Sequence, residues 1–283
     1  MRYRAFSATA NPGYPLKLIL AFVALLLALP AWAAQLTIEL DHASKTWQTS
    51  DLLKHPDAQT VQVVDDVSYK RTMTYRAVPL AVLLKGLNPA SHLQAVALDG
   101  FAAELAAAPL LEKNDARAWL AVEDPAHPWP SLGDGKPSAG PFYLVWTDPQ
   151  AGHVSPEQWP FQISRIKQLQ TVAERFPALL PDPTLPEYDP VNQGFALFQK
   201  NCLACHRLNG AGDAQVGPDL NIPYNPTEYF IGDFLKRYIR DPQSLRHWPQ
   251  AKMPAFAVSV LPDNELDLLV GYLRHMAGRK QTP

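Results

Sequence analysis

Two cysteines are the whole thiol inventory of this 283-residue chain, and both lie in Cys202-Leu203-Ala204-Cys205-His206. Two thiols three positions apart, with a histidine directly behind the second, admit three chemistries. A dithiol redox pair belongs in a βαβ setting and has no use for the histidine. A closed zinc site needs four ligands, and no second cysteine pair exists to complete one. Covalent haem attachment uses every residue of the run. The two thiols add to the two vinyl groups of one porphyrin, and the histidine then stands under the iron, where a neutral imidazole nitrogen ligates it. The motif predicts one covalently attached haem c, with Cys202 and Cys205 as its anchors and His206 as an iron ligand.

The residues around the motif extend this reading. Gly194 and Phe198 stand eight and four positions before Cys202, Gly217-Pro218-Asp219-Leu220 follows, with Pro218 twelve positions after His206, and Leu269 and Tyr272 lie in the last periodic segment. Residues 190–283 thereby resemble a class I cytochrome c domain, which is all-α. The resemblance implies that the first and last helices cross at Gly194 and that the Pro218 carbonyl accepts a bond from His206. It also implies a second axial ligand on a loop well downstream, usually a methionine. Of Met1, Met73, Met253 and Met276, only Met253 sits in a proline-marked loop of that region, Lys252-Met253-Pro254. Met253 is the expected sixth ligand, with His247 as its rival and a plain packing role as the bland alternative. Histidine–methionine ligation raises the potential and leaves no open position on the iron, which favours outer-sphere electron transfer over catalysis there.

Three helices must position these groups. Asp189–Asn201 leads into the motif, Tyr229–Arg240 carries an apolar set of Phe230, Phe234, Leu235 and Tyr238, and a last helix starts at Pro262 with acids in its first turn and runs to about Ala277. Lys200, Arg207 and Lys252 are placed either to rim a haem edge and steer an acidic partner or to be plain solvated charges.

Residues 1–33 read as an export leader. Arg2, Arg4 and Lys17 precede an apolar run from Leu18 to Leu29, and Ala31-Trp32-Ala33 offers a small-x-small cleavage site. The run is short for a membrane span, so no stable span is expected after cleavage, and an uncleaved anchor is the competing reading. Export agrees with haem attachment and points to the periplasm. The formal charge of −2 is unevenly spread. Residues 34–189 carry 12 Lys and Arg against 19 Asp and Glu, and residues 190–283 carry 10 against 8. That balance gives no reason to expect nucleic acid as a partner.

Length and composition suggest two domains behind the leader. Five prolines between Pro177 and Pro190 mark 176–189 as a semi-rigid spacer, free or wrapped against one neighbour. Residues 34–175 read as a mostly-β α+β domain. Strands are expected at Leu36–Leu40, Thr60–Val64, Leu93–Leu98, Trp119–Glu123, Phe142–Trp146 and Phe161–Ile166, and short helices at Ser50–Lys54 and Pro79–Leu87. The order of Val78-Pro79-Leu80, Asp99-Gly100-Phe101 and Gly140-Pro141-Phe142 resembles the sulfite-oxidase-type molybdopterin fold. That family binds molybdenum through a cysteine, and this domain has none. Around Asp65-Asp66-Val67-Ser68, where the thiolate would fall, only oxygen groups stand. Molybdopterin is therefore not expected, and the domain reads as a docking or small-ligand module.

Asp99, Glu123, Asp124, His127, Asp148 and His153 fall in turns after expected strands. Asp124 with His127 has the composition of a metal pair, but Asp-Pro at 124 and 148 is also ordinary turn chemistry, the heavier reading. Trp119, Trp129, Trp146 and Trp159 read as core. The whole implies a periplasmic monohaem cytochrome passing single electrons to or from a dehydrogenase or oxidase, an electron carrier rather than an enzyme. The alternative is a haem-linked oxidoreductase whose N-terminal domain oxidises a small substrate.

Overall fold

A computed structural model of the chain describes residues 34–41, 43–152 and 154–281. The export-leader reading of residues 1–33 and the candidate His153 lie outside the described residues. Among the described residues no helix is long and apolar enough to cross a membrane.

Among the described residues nine strands build two sheets. The first has the order β2-β1-β9-β5-β6, formed by β1 (Gln35–Leu40), β2 (Ala43–Gln48), β5 (His92–Ala97), β6 (Ala102–Ala106) and β9 (Ile163–Leu169). The second has the order β3-β4-β7-β8, formed by β3 (Gln59–Val63), β4 (Met73–Pro79), β7 (Arg117–Val122) and β8 (Phe142–Thr147). Pairing is antiparallel except between β1 and β9, which run parallel. One hydrophobic core draws on both sheets. Val61, Val63, Met73, Tyr75 and Ala77 point inward at period two, while β8 is buried on both faces, as its unbroken apolar run requires. Trp119, Trp146 and Trp159 are buried in this core, and Trp129 packs against it.

Three strands were not evident in the sequence. The edge strand β2 shows mostly exposed residues and so lacks a hydrophobic alternation. Strand β6, Ala-Ala-Glu-Leu-Ala, is helix-favouring by composition and is held extended by its register on β5. Strand β4 does alternate, but its Val78-Pro79 end resembles a helix start. The helix expected over Pro79–Leu87 is only α2 (Leu80–Leu83): Pro79 closes β4, and Gly86 turns the chain with φ +90°. The other short helices of this region are α1 (Thr49–Leu53) and α3 (Ala107–Leu111).

After β9 the chain becomes helical: α4 (Val172–Arg175), α5 (Pro190–Asn201), α6 (Pro226–Tyr229), α7 (Phe234–Arg240), α8 (Pro242–Leu245) and α9 (Asp263–Ala277). Among the described residues beyond β9 the only bridge pairing is Leu208 with Ala211. Asp189 caps α5, accepting from the Val191 amide at 2.8 Å, and Pro190 fills the first helical position. The helix expected over Tyr229–Arg240 is only α7: α6 ends at Tyr229, Phe230 is extended, and Gly232 adopts φ +60° before Phe234. Of its expected apolar set, Leu235 is buried, whereas Phe234 is 41% exposed and Tyr238 stacks on Phe230 at 5.3 Å.

Helices α5 and α9 cross at Gly194. A Cβ there would lie 2.7 Å from Tyr272 Cβ and 2.9 Å from the Leu268 carbonyl carbon, so only glycine lets the backbones approach this closely. Phe195 and Phe198 flank the crossing and meet the Tyr272 ring at 5.6 and 5.3 Å. The proline-rich stretch packs against this pair. Leu179 is fully buried in the helical core, its carbonyl accepts the Tyr272 hydroxyl at 2.7 Å, and the Asp182 amide donates to His275 Nε2 at 3.1 Å.

Candidate functional site: the Cys-x-x-Cys-His loop

Cys202 is the residue on which α5 ends. Its carbonyl accepts the amides of Cys205 at 3.0 Å and His206 at 2.9 Å, which coils the motif into one tight turn. Leu203 is buried in the helical core and Cys202 packs against it; the two thiols are half-buried and not joined in a disulfide. Burial, and then the charge of Glu157, push both thiols up, Cys205 to about 11. Thiols raised in this way are neutral, the opposite of the activated thiolate that a redox pair or a zinc site uses.

His206 is fixed by its outer nitrogen. Pro218 O lies 2.8 Å from Nδ1, and a carbonyl can only accept, so Nδ1 carries the proton. Burial holds the imidazole below its ordinary value, which keeps the ring neutral and leaves a lone pair on Nε2. The segment that brings Pro218 into place is bonded alongside the motif: the Gly217 amide donates to Cys205 O at 2.7 Å and the Leu220 amide to Arg207 O at 2.8 Å. A Cβ at Gly217 would stand 2.5 Å from His206 Cε1 and 2.6 Å from Nδ1, so the ring packs into space that only glycine leaves free.

The loop between is built on Asn209-Gly210, both left-handed (φ +57° and +73°), closing a two-residue hairpin in which Leu208 and Ala211 exchange amide bonds at 3.0 Å. The Asp219 carboxylate accepts four amides, those of Asn209, Gly210, Asn221 and Ile222. Buried Asn221 and Asn225 then cap the last carbonyls of α9, donating to Met276 O at 2.7 Å and Leu273 O at 2.9 Å. These two asparagines carry no sequence signature beyond their type, and only the fold reveals their work.

The remaining candidates are dispersed. Met253 lies in the coil between α8 and α9, half-buried against the helical core. His247, in the same coil, is exposed. Lys200 is half-buried and its charge acts on Glu157 of the sheet domain, while Arg207 and Lys252 are exposed.

In the sheet domain, Asp124 and His127 form an exposed turn pair: Asp124 takes the Ala126 amide at 2.9 Å and His127 Nδ1 at 3.0 Å. Asp66 is a different case. It is 0% exposed, and its carboxylate accepts the Ser68 and Tyr69 amides and the hydroxyls of Tyr75 at 2.8 Å and Tyr143 at 3.2 Å. Burial, and then the Asp66 charge, push both tyrosines far up, so both keep their protons and donate. In the segment Asp65-Asp66-Val67-Ser68 the one buried carboxylate thus has both oxygens already occupied.

Glu104 on β6 joins the two cores. It binds His92, Gln94 Nε2 at 2.7 Å and Arg175 Nη2 at 2.7 and 2.8 Å. Gln94 and Arg175 in turn reach Asp213 of the motif loop at 2.7 and 2.6 Å.

No curated protein matches the chain. Residues 191–277 match the cytochrome c family, so the C-terminal part of the chain carries a c-type cytochrome domain, a domain that implies haem c and electron transfer.

Proposed function

We propose that the protein is a periplasmic carrier of single electrons, exported by its N-terminal leader, with one haem c joined to Cys202 and Cys205 and the iron held between His206 and Met253. The observation that carries this is the His206–Pro218 bond of 2.8 Å, which leaves Nε2 unprotonated in a ring pressed on Gly217. The group so held supplies an iron that accepts and returns one electron. The chain's own residues do the rest. Neutral thiols await attachment, Pro218 fixes the tautomer and tilt of His206, and the helical core excludes water. The sheet domain, a sulfite-oxidase-type fold without its metal ligand, serves to dock a dehydrogenase or oxidase. The occupied Asp66 carboxylate weighs against a second redox centre there.

His206→Ala is expected to abolish holoprotein, scored by covalent haem stain and pyridine haemochrome spectrum. Normal haem incorporation in that variant sinks the assignment. Met253→Leu is expected to keep the haem attached and lower the potential; an unchanged potential moves the sixth ligand to His247.

A further inference from the structure

The sheet domain places a buried acidic group near the haem-attachment cysteines. Ser155-Pro156-Glu157-Gln158 is a tight turn packed on both β6 and α5. It is rigid: the Ser155 amide donates to Gln158 Oε1 at 2.9 Å, and Trp146 Nε1 in the sheet core donates to Gln158 O at 2.8 Å. Glu157 at its centre is 7% exposed, and its Oε2 has no hydrogen-bond partner. Its charge acts on both Cys202 and Cys205. Few carboxylates are buried with an oxygen unsatisfied, because the charged form loses its hydration.

We propose that Glu157 is a redox-linked proton acceptor, taking up one proton from solvent as an electron reaches the haem and releasing it on oxidation. This rests on the haem being held by Cys202 and Cys205. The step balances as one electron from the protein's one-electron donor and one proton from water, with the carboxylate becoming a carboxylic acid and no heavy-atom bond formed or broken. The added electron raises the cost of a nearby negative charge, so reduction favours the protonated form. Burial already pushes the Glu157 carboxyl up to about 7, so a small change of field tips it near neutrality. The charged and titratable groups about the turn fit this role. On α5 the Lys200 cation opposes protonation. Beyond it Cys202 and Cys205 stand neutral, and on β6 the Glu104 charge is taken by Arg175 and His92. Asp99, ahead of β6, acts on Cys205.

The test is a spectroelectrochemical titration of the full haem-loaded chain from pH 5 to 9, with redox-difference infrared spectra. The wild-type potential is expected to fall with rising pH near neutrality, approaching about 59 mV per pH unit at full coupling. A protonated carboxyl band should be gained on reduction. In Glu157→Gln both are expected to vanish, with the potential resting on the wild-type low-pH limb. A flat wild-type profile, or a slope or carboxyl band that survives in Glu157→Gln, overturns the proposal. If Glu157→Gln fails to fold, Lys200→Gln serves: its window must move to higher pH, and an unmoved window overturns the proposal equally. A chain without covalent haem or a reversible one-electron response would instead be a failure of the electron-carrier reading.

Discussion

Two glycines in the crossing helices should respond to the same substitution with opposite signs. At Gly194 an added methyl meets the backbone of α9 around Leu268 and the Tyr272 Cβ at 2.7 Å, and neither is a flexible side-chain end. Overpacking of this kind costs about 1–3 kcal/mol, and contact with backbone puts it at the upper end. Replacing a helical glycine by alanine returns about 1 kcal/mol, so Gly194→Ala should destabilise by about 2 kcal/mol. Gly271 lies one residue from Tyr272 in α9, yet a Cβ there meets nothing within 4 Å. Gly271→Ala should therefore stabilise by about 1 kcal/mol. For a chain of this size each kcal/mol moves Tm by about 3 °C. Thermal and denaturant unfolding of the haem-loaded variants, followed at the haem band and by far-ultraviolet circular dichroism, would read both. If Gly194→Ala proves as stable as wild type, or Gly271→Ala destabilises as much, close approach at the crossing is not what holds these helices.

Gly217→Ala pushes a methyl into the His206 ring and should cut the haem-loaded fraction and shift the potential, measured on the purified holoprotein; an unchanged Soret-to-protein ratio and potential would refute that close fit. Burial pushes the Glu104 carboxyl up, but bonds from His92, Arg175 and Gln94 outweigh it and hold its folded value below 4.5. Its contribution to stability is thus present above pH 4.5 and lost as pH falls through the folded value, so Glu104→Gln should flatten that acid limb of the stability curve. Arg175→Ala leaves the Glu104 charge buried with weaker partners, and a loss of about 3 kcal/mol in denaturant unfolding is expected. Asp66→Asn replaces one carboxylate oxygen by an NH2 donor, so one of the two buried tyrosine hydroxyls loses its acceptor, and the change should cost about 1–3 kcal/mol by the same assay.

The sequence was most informative where spacing is dictated by chemistry. The motif, the glycine eight positions before it and the proline twelve positions after His206 are covalent-scale constraints, and each is visible as a residue type at a distance. Strands β1, β3, β5, β7 and β8 were visible because alternation or an unbroken apolar run announces them. What stayed hidden was set by partners far away in the chain. Strand β6 is extended only because β5 pairs with it, and the break at Gly232 depends on a backbone angle that glycine permits but does not demand. Glu157 carries no signature in the sequence; its significance comes from α5, more than thirty residues later. Lys200 was read either as a haem-rim charge or as a plain solvated one; that its charge acts on Glu157 was not visible in the sequence.

The buried Leu179 and the bond from Tyr272 to its carbonyl bear on how such a protein can be cut and recombined. A boundary drawn by composition would start an excised cytochrome at Pro190. That fragment would leave behind Val172 and Leu179, which belong to the helical core, and would open an apolar seam along α9. The transferable module begins near Thr171, where a capping box starts α4, and of the five prolines it brings along only Pro181 is buried. In this chain the start of the proline-rich stretch is tied to the helical core through Leu179 and Asp182, so a swap of the sheet domain for another must keep that anchor with the haem half.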